Sequence, residues 1–231
     1  MKLGDFSALA KKYVNRPSYD TGLIEKIMAH MNFQISDISI ADVGAGTGKL
    51  TKVLAEMRCR NIYAVEPNDE MRHEGVEYTA NLPAVKWYRG TGEFTGLADK
   101  SVDLVTMASS FHWTDPNRSL PEFSRILKNS GFLSIMWNTR DITSSELHTN
   151  IESAIYEIVP SIKRVSSGNS AYTKNWSRIL VSTGHFSEVK FIETSYTERM
   201  TKKRYINAWR SVNDVQAQAG PEKLEKNIRK N

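Results

Sequence analysis

The chain has 231 residues, 40% of them hydrophobic and 25% charged, with a formal net charge of +5 and one cysteine. This balance suits one soluble α/β domain with a substantial core, and no apolar run approaches the roughly 20 residues of a membrane helix. The opening stretch MKLGDFSALAKK lacks the apolar core of a secretion signal, and a lone Cys59 leaves no internal disulfide or multi-cysteine metal site, so the expectation is a reduced, cytoplasmic protein.

Residues 5–14, DFSALAKKYV, read as a short helix opened by Asp5 or Ser7 and interrupted by Pro17. Ser18-Tyr19-Asp20 introduces a second helix, Leu23–Met31, whose Leu23, Ile24, Ile27, Met28 and Met31 recur at helical spacing. Residues 1–35 precede the first strand and are expected as an N-terminal helical flap on or beside the sheet. From Ile38 the pattern alternates. Strands are expected at Ile38–Val43, Asn61–Glu66, Ala84–Arg89, Val102–Ala108 and Phe132–Trp137, with helices at Lys49–Met57, Asp69–Thr79 and Leu120–Lys128, the last closed by Asn129-Ser130-Gly131.

Such alternation implies right-handed crossovers and a Rossmann-like, mostly parallel sheet with helices on both faces, ligands meeting the carboxyl ends of the strands. Beyond Asn138, Glu146–Val159 and Tyr172–Thr183 read as helices, Val189–Thr197 as a sixth strand, and Lys202–Ala217 and Pro221–Lys230 as helices. The whole of 1–231 is expected as a single domain, with a sheet core over 36–200 and a basic helical segment over 201–231.

The chain is organised around Asp42-Val43-Gly44-Ala45-Gly46-Thr47-Gly48-Lys49. Strand, glycine turn and helix in that order bring backbone N–H groups and a positive helix end up to a ligand. A phosphate loop needs four residues between Gly and Gly-Lys-Ser/Thr; here there are three, and Leu50 follows. The dinucleotide turn G-x-G-x-x-G is one residue longer than Gly44-x-Gly46-x-Gly48. Asp42, directly before the first glycine, suits a ligand carrying an amino group and a sulfonium better than a pyrophosphate. Glu66 at the end of the second strand can accept hydrogen bonds from both ribose hydroxyls.

These residues resemble the class I S-adenosylmethionine-dependent methyltransferases over roughly residues 10–200. Asp42–Gly48 resembles the family's first motif, and Glu66-Pro67-Asn68-Asp69-Glu70-Met71 its acidic ribose loop. Gly90-Thr91-Gly92-Glu93 resembles the loop beside the adenine, with Thr91 where an acidic residue is often found. Asp103-Leu104-Val105 followed by Phe111-His112-Trp113 resembles the fourth-strand motif, and Arg125–Phe132 the helix–turn–strand before the fifth strand. Tyr13-Val14-Asn15-Arg16-Pro17-Ser18-Tyr19 and Met136-Trp137-Asn138-Thr139-Arg140-Asp141 are similar to the small-molecule branch that includes trans-aconitate methyltransferases.

The resemblance implies S-adenosyl-L-methionine as cofactor and S-adenosyl-L-homocysteine as product. Candidate cofactor residues are Asp42, Gly44, Ala45, Gly46, Gly48, Glu66, Pro67, Met71, Thr91, Gly92, Glu93, Ala108 and Ser109. Candidate substrate residues are Tyr13, Arg16, Tyr19, Phe111, His112, Trp113, Trp137, Asn138 and Arg140. The aromatic rings after the fourth strand suit a cation–π wall that excludes water. His112 is the candidate catalytic residue, as general base for a hydroxyl or amine acceptor or as an orienting group. Arg16 and Arg140 suit a carboxylate, on the cofactor or on the acceptor, or a surface ion pair. The remaining histidines show no ligand spacing, so no metal is expected.

The expected reaction is methyl transfer to a small molecule, with a carboxylate as the acceptor group. Two alternatives stand beside it. Residues 198–231 hold nine basic and four acidic side chains, which would suit an RNA or protein methyltransferase, although no nucleic-acid-binding motif accompanies them. A non-catalytic cofactor-binding protein is the other. The family usually closes its sheet with an antiparallel seventh strand, and no strand-like stretch follows Thr197: either that strand is absent or the sequence ends before it.

Overall fold

The structure, a computed structural model, describes residues 5–142, 145–164 and 174–220. Its centre is a five-stranded sheet, β1 Ser39–Val43, β2 Asn61–Val65, β3 Val85–Tyr88, β4 Val102–Ala108 and β5 Leu127–Met136, in the order β3-β2-β1-β4-β5. Every pairing is parallel. The order reverses between β1 and β4, so the crevice for a ligand lies beyond Val43 and Ala108. Strands covered on both faces read as near-continuous apolar runs, and β1 has four buried residues in succession.

Around the sheet stand α1 Ala10–Tyr13, α2 Thr21–Met31, α3 Lys49–Glu56, α4 Asp69–Tyr78, α5 Pro116–Ile126, α6 Glu146–Ile158, α7 Trp176–Val181, α8 Lys202–Trp209 and α9 Asn213–Ala219. One face of the sheet, Ile40, Ile62 and Leu104, packs with Ile24, Ile27 and Met28 of α2 and Leu50 and Leu54 of α3. The opposite face, Ala41, Val43, Val65 and Val105, packs with Leu120, Phe123 and Ile126 of α5 and with Trp176 and Ile179 of α7. The parity of the strands dictates this split, since neighbouring residues point to opposite faces. A third cluster joins Ile155 of α6 to Trp209, Val212 and Val215 near α8 and α9.

Several expected boundaries move. The second helix begins at Thr21, because the Asp20 carboxylate caps the Leu23 N–H. α5 begins at Pro116 and not at Leu120: Asp115 caps the Asn117 N–H, and proline is tolerated in the first turn. β5 begins at Leu127, and the Asn129-Ser130-Gly131 stretch is an irregularity within it, the register stepping from Val102↔Leu127 to Leu104↔Phe132. The flap is a 3-10 turn, Ser7–Leu9, running into α1. Lys202–Ala217 divides into α8 and α9.

The expected sixth strand does not form. Val189–Thr197 has no regular secondary structure, Phe191 is 80% exposed, and Tyr196 turns its hydroxyl to Ser18 and Asn138. Phe191 and Glu193 of the alternating set stay exposed, so no buried face fixes a strand register there, and the sheet holds five strands among the described residues. The expected helix Pro221–Lys230 lies outside the described residues.

Candidate active site

A cavity of about 280 Å³ opens at the carboxyl ends of β1, β2 and β4. Its floor is the glycine turn, with Asp42, Gly44, Ala45, Gly46, Lys49 and Leu50 in the lining. Gly44 sits at φ +69°, and a Cβ there would lie 2.6 Å from Ser110 Oγ. Gly48, at φ +76°, is the cap residue from which α3 starts.

The second wall follows β2. Glu66 is buried at 7% exposure; one carboxylate oxygen accepts from Gly46 N at 2.8 Å and the other from Asn68 N at 2.9 Å. Burial pushes its pKa upward, against the pull of those two N–H groups. Pro67, Asn68 and Met71 continue this wall, and Asn68 caps α4 by accepting from Met71 N. Thr91, Gly92 and Glu93 close it after β3; their loop is held from behind by Glu122, which accepts from Thr95 N and Thr95 Oγ1.

Asp42 reaches the cavity from the end of β1 while being only 1% exposed. Thr51 of α3 donates to it at 2.6 Å and Thr106 of β4 at 3.3 Å, so it also ties three elements together. Desolvation dominates its titration and pushes the pKa up to about 6. Ala108, Ser109 and Ser110 form the side beneath β4. Ser109 adopts φ +56°, uncommon for a residue with a side chain, and accepts a hydrogen bond from Tyr19 at 3.2 Å.

The flap covers the opening. Phe6, Tyr13 and Tyr19 line the cavity with Trp113 and Thr114. Phe6 meets Tyr13 edge-on at 5.8 Å and Trp113 at 6.2 Å. The C-terminal segment holds the flap in place: Arg16 donates to Ser211 Oγ and Ser211 O at 2.8 Å each. Arg204 donates to the carbonyls of Asn15 and Arg16, and Ser18 N donates to Glu198.

The remaining candidate residues stand behind this shell. Phe111 is in the core, packed with Phe123 and Trp176. His112 lies between Phe111 and Trp113, and burial with Lys174 nearby lowers its pKa to about 4. Among the described residues its buried Nδ1 has no hydrogen-bond partner. Trp137 stacks on Trp176 at 4.7 Å. Asn138 donates to Ser18 O and to the Tyr196 hydroxyl, anchoring the flap from β5. Arg140 lies 4.5 Å over the Trp209 ring, its pKa lowered to about 10 by burial and by Arg16. Gly48 is outside the lining and is the cap residue of α3. Phe6, Leu50, Met107, Ser110 and Thr114 line the cavity without having been candidates in the sequence, and Lys49 and Asn68 line it from within the motifs, where they had been given no role. Among the described residues no group of three or more His, Cys, Asp or Glu side chains could hold a metal, and no helix is long and apolar enough to cross a membrane.

Residues 41–135 match a family model described as a methyltransferase domain. An uncharacterized methyltransferase of Mycobacterium tuberculosis is 39% identical over 141 residues, covering 61% of this chain and 54% of the relative. An uncharacterized methyltransferase-like protein of Schizosaccharomyces pombe is 30% identical over 194 residues, covering 80% of this chain and 68% of the relative. The chain thus spans about half the length of the mycobacterial relatives. Among solved structures, an Anabaena variabilis protein named as a methyltransferase from an antibiotic biosynthesis pathway is similar in fold. Its TM-score is 0.65 at 22% identity, with 91% of this chain and 84% of that one covered.

Proposed function

The chain belongs to the class I S-adenosylmethionine-dependent methyltransferases, and from that premise we propose that it methylates a small molecule bearing a carboxylate. The observation that carries the cofactor part is the Glu66 carboxylate bonded to Gly46 N within the cavity. A buried acid whose partners are two backbone N–H groups keeps lone pairs for ribose hydroxyls. In the turn beside it Gly44 and Gly46 carry no Cβ, which lets the backbone lie close to the cavity wall: a Cβ at Gly44 would fall 2.6 Å from Ser110 Oγ and one at Gly46 3.3 Å from Met71 Cε.

When bound, S-adenosylmethionine supplies an electrophilic methyl carbon on sulfur; the acceptor's lone pair forms the new bond as the carbon–sulfur bond breaks, leaving S-adenosylhomocysteine. In this reading Asp42, Gly44, Ala45, Gly46, Pro67, Met71, Thr91, Gly92, Glu93, Ala108 and Ser109 hold the cofactor with Glu66, and Gly48 sets the turn. Phe6, Tyr13, Tyr19 and Trp113 exclude water and face the positive charge. Rate then comes mainly from proximity and orientation.

The acceptor side rests on Arg16 and Arg140. Both are cationic, the charge of Arg16 helps to lower the Arg140 pKa, and Arg16 directs its bonds to neutral Ser211 atoms. A carboxylate between two guanidinium groups relieves that repulsion. His112, kept neutral by burial, orients the acceptor through hydrogen bonding, and a carboxylate nucleophile needs no base. The alternative of an RNA or protein substrate leans on the basic C-terminal segment, where Arg204 is already engaged by Glu198 at 2.5 Å and by flap carbonyls.

The test is incubation with S-adenosylmethionine and a panel of organic acids, with methyl esters and S-adenosylhomocysteine followed by mass spectrometry. Methyl esters support the reading. Methylated bulk RNA or protein, with the acids untouched, transfers it to the alternative. Cofactor binding with no turnover on any pool returns the protein to a binding role.

A further inference from the structure

A cluster of donors without acceptors stands where the C-terminal segment meets the loop after β5. Tyr205 and Trp209 lie one turn apart on α8, and their rings meet edge-on at 6.5 Å. Trp209 is only 4% exposed. Among the described residues the buried Tyr205 hydroxyl and Trp209 Nε1 have no hydrogen-bond partner. Arg140 lies 4.5 Å over the Trp209 ring, and among the described residues its guanidinium has neither a hydrogen bond nor an ion pair. His148 of α6 stacks on Tyr205 at 6.1 Å and meets the Asp141 carbonyl at 3.3 Å, which ties the loop carrying Arg140 to the same face. The acids of the flanking helices are taken: Arg164 donates to both Glu152 of α6 and Asp214 of α9.

A buried donor left without an acceptor is destabilising, and here two such donors flank an uncompensated guanidinium. Indole N–H and guanidinium groups can only donate, so the fitting partner is one that only accepts, and a carboxylate does so with charge as well. One bond from each of the three groups leaves one of its roughly four lone-pair sites to meet a methyl carbon. The cluster adjoins the cavity through the flap. Arg16 bonds to Ser211, just beyond Trp209 in sequence, and lies 4.3 Å over the ring of Tyr13, a lining residue. Resting on the carboxylate reading above, we propose that Tyr205 and Trp209 bind the acceptor's carboxylate beside Arg140, which makes α8 the element that selects acids over neutral acceptors.

The probe is acetate, the carboxylate alone, with acetamide as its uncharged isostere, each added to the full chain at constant ionic strength. The Trp209 indole N–H signal is followed by NMR and assigned by its loss in Trp209→Phe. Acetate should shift this signal saturably, and acetamide should not. Tyr205→Phe keeps the ring and should weaken acetate about tenfold or more. It should leave the thermal midpoint unchanged or raise it, because it deletes a buried donor that has no partner. For the acid that the wild type methylates, the same variant should raise KM by a similar factor, with kcat and S-adenosylhomocysteine affinity unchanged. An unmoved indole signal, an unchanged acetate affinity in Tyr205→Phe, or a lowered midpoint overturns the proposal. Saturable, Tyr205-dependent acetate binding with no acid methylated leaves the site standing and overturns instead the methylation reading beneath it.

Discussion

Glu66 accepts a hydrogen bond from the backbone N–H of Gly46 at 2.8 Å, which makes the end of β2 and the turn after β1 one unit. Asn68 N occupies the other carboxylate oxygen at 2.9 Å. The side chain is thus held before any ligand arrives, and its remaining lone pairs are aimed rather than searching.

Glu66→Gln puts an NH2 group opposite one of these N–H donors and removes the charge. Hydrogen bonds to charged groups contribute about 1.5–3 kcal/mol, so affinity for S-adenosylhomocysteine should fall roughly tenfold to a hundredfold. Methylthioadenosine, which carries the same ribose, should lose as much. Calorimetry that shows a selective loss for S-adenosylhomocysteine would place Glu66 at the amino-acid end and reject its assignment to the ribose.

Asp42 gives cofactor affinity a pH dependence. Its pKa in the folded protein is pushed up to about 6 by burial. A ligand with a sulfonium and an ammonium favours the ionised carboxylate, so binding releases a proton wherever Asp42 is protonated beforehand. Affinity for S-adenosylmethionine should therefore be flat above the pKa and fall about tenfold per unit below it. Asp42→Asn should bind more weakly and lose this dependence between pH 5 and 7. A wild-type profile as flat as the variant's would show that Asp42 serves Thr51 and Thr106 alone.

The alternation of strands and helices was legible because each strand is a short apolar run ending in a turn, and Val102–Ala108 coincides with the expected fourth strand. The site's acids were legible because they follow strand ends. The aromatic triplet could not be apportioned in advance. Its 3-10 turn aims consecutive side chains in different directions, so Phe111 enters the core while Trp113 lines the cavity. Lys49 reads locally as the polar start of an amphipathic helix, and its 8% exposure is an outcome of tertiary packing. The Arg16–Ser211 contact joins residues 195 apart, a separation at which no local pattern speaks.

Gly44→Ala should damage the turn and the site together. At φ +69° a side chain is strained by about 1–2 kcal/mol. The new Cβ would also lie 2.6 Å from Ser110 Oγ, itself hydrogen-bonded to Val43 O. Overpacking of this kind costs about 1–3 kcal/mol. The midpoint of thermal unfolding should drop by several degrees, at about 2–4 °C per kcal/mol for a chain of this size, and binding of S-adenosylhomocysteine should disappear. An unaltered midpoint would show that the loop relaxes freely.

His112 should titrate near pH 4 in the folded protein, because burial and Lys174 both disfavour its imidazolium. Its unfolded value is about 6.5. Between these values the unfolded chain binds the extra proton, so His112 withdraws stability as pH falls through that window, by at most about 3 kcal/mol. Asp42 acts in the opposite sense. Its folded pKa of about 6 exceeds the ordinary carboxyl value of 3.8, so the folded state holds the proton and Asp42 adds stability as pH falls from 6 to 4. The two effects oppose each other, and a weakly pH-dependent wild type would not by itself reveal either. His112→Asn separates them. It should leave the Asp42 effect alone, making the protein gain stability on acidification from pH 6 to 4 relative to wild type, as read from denaturant midpoints. In catalysis the imidazole should add no inflection to kcat/KM between pH 5.5 and 8. An NMR titration of the His112 ring with a midpoint near 6.5 would contradict both expectations and restore a general base to the site.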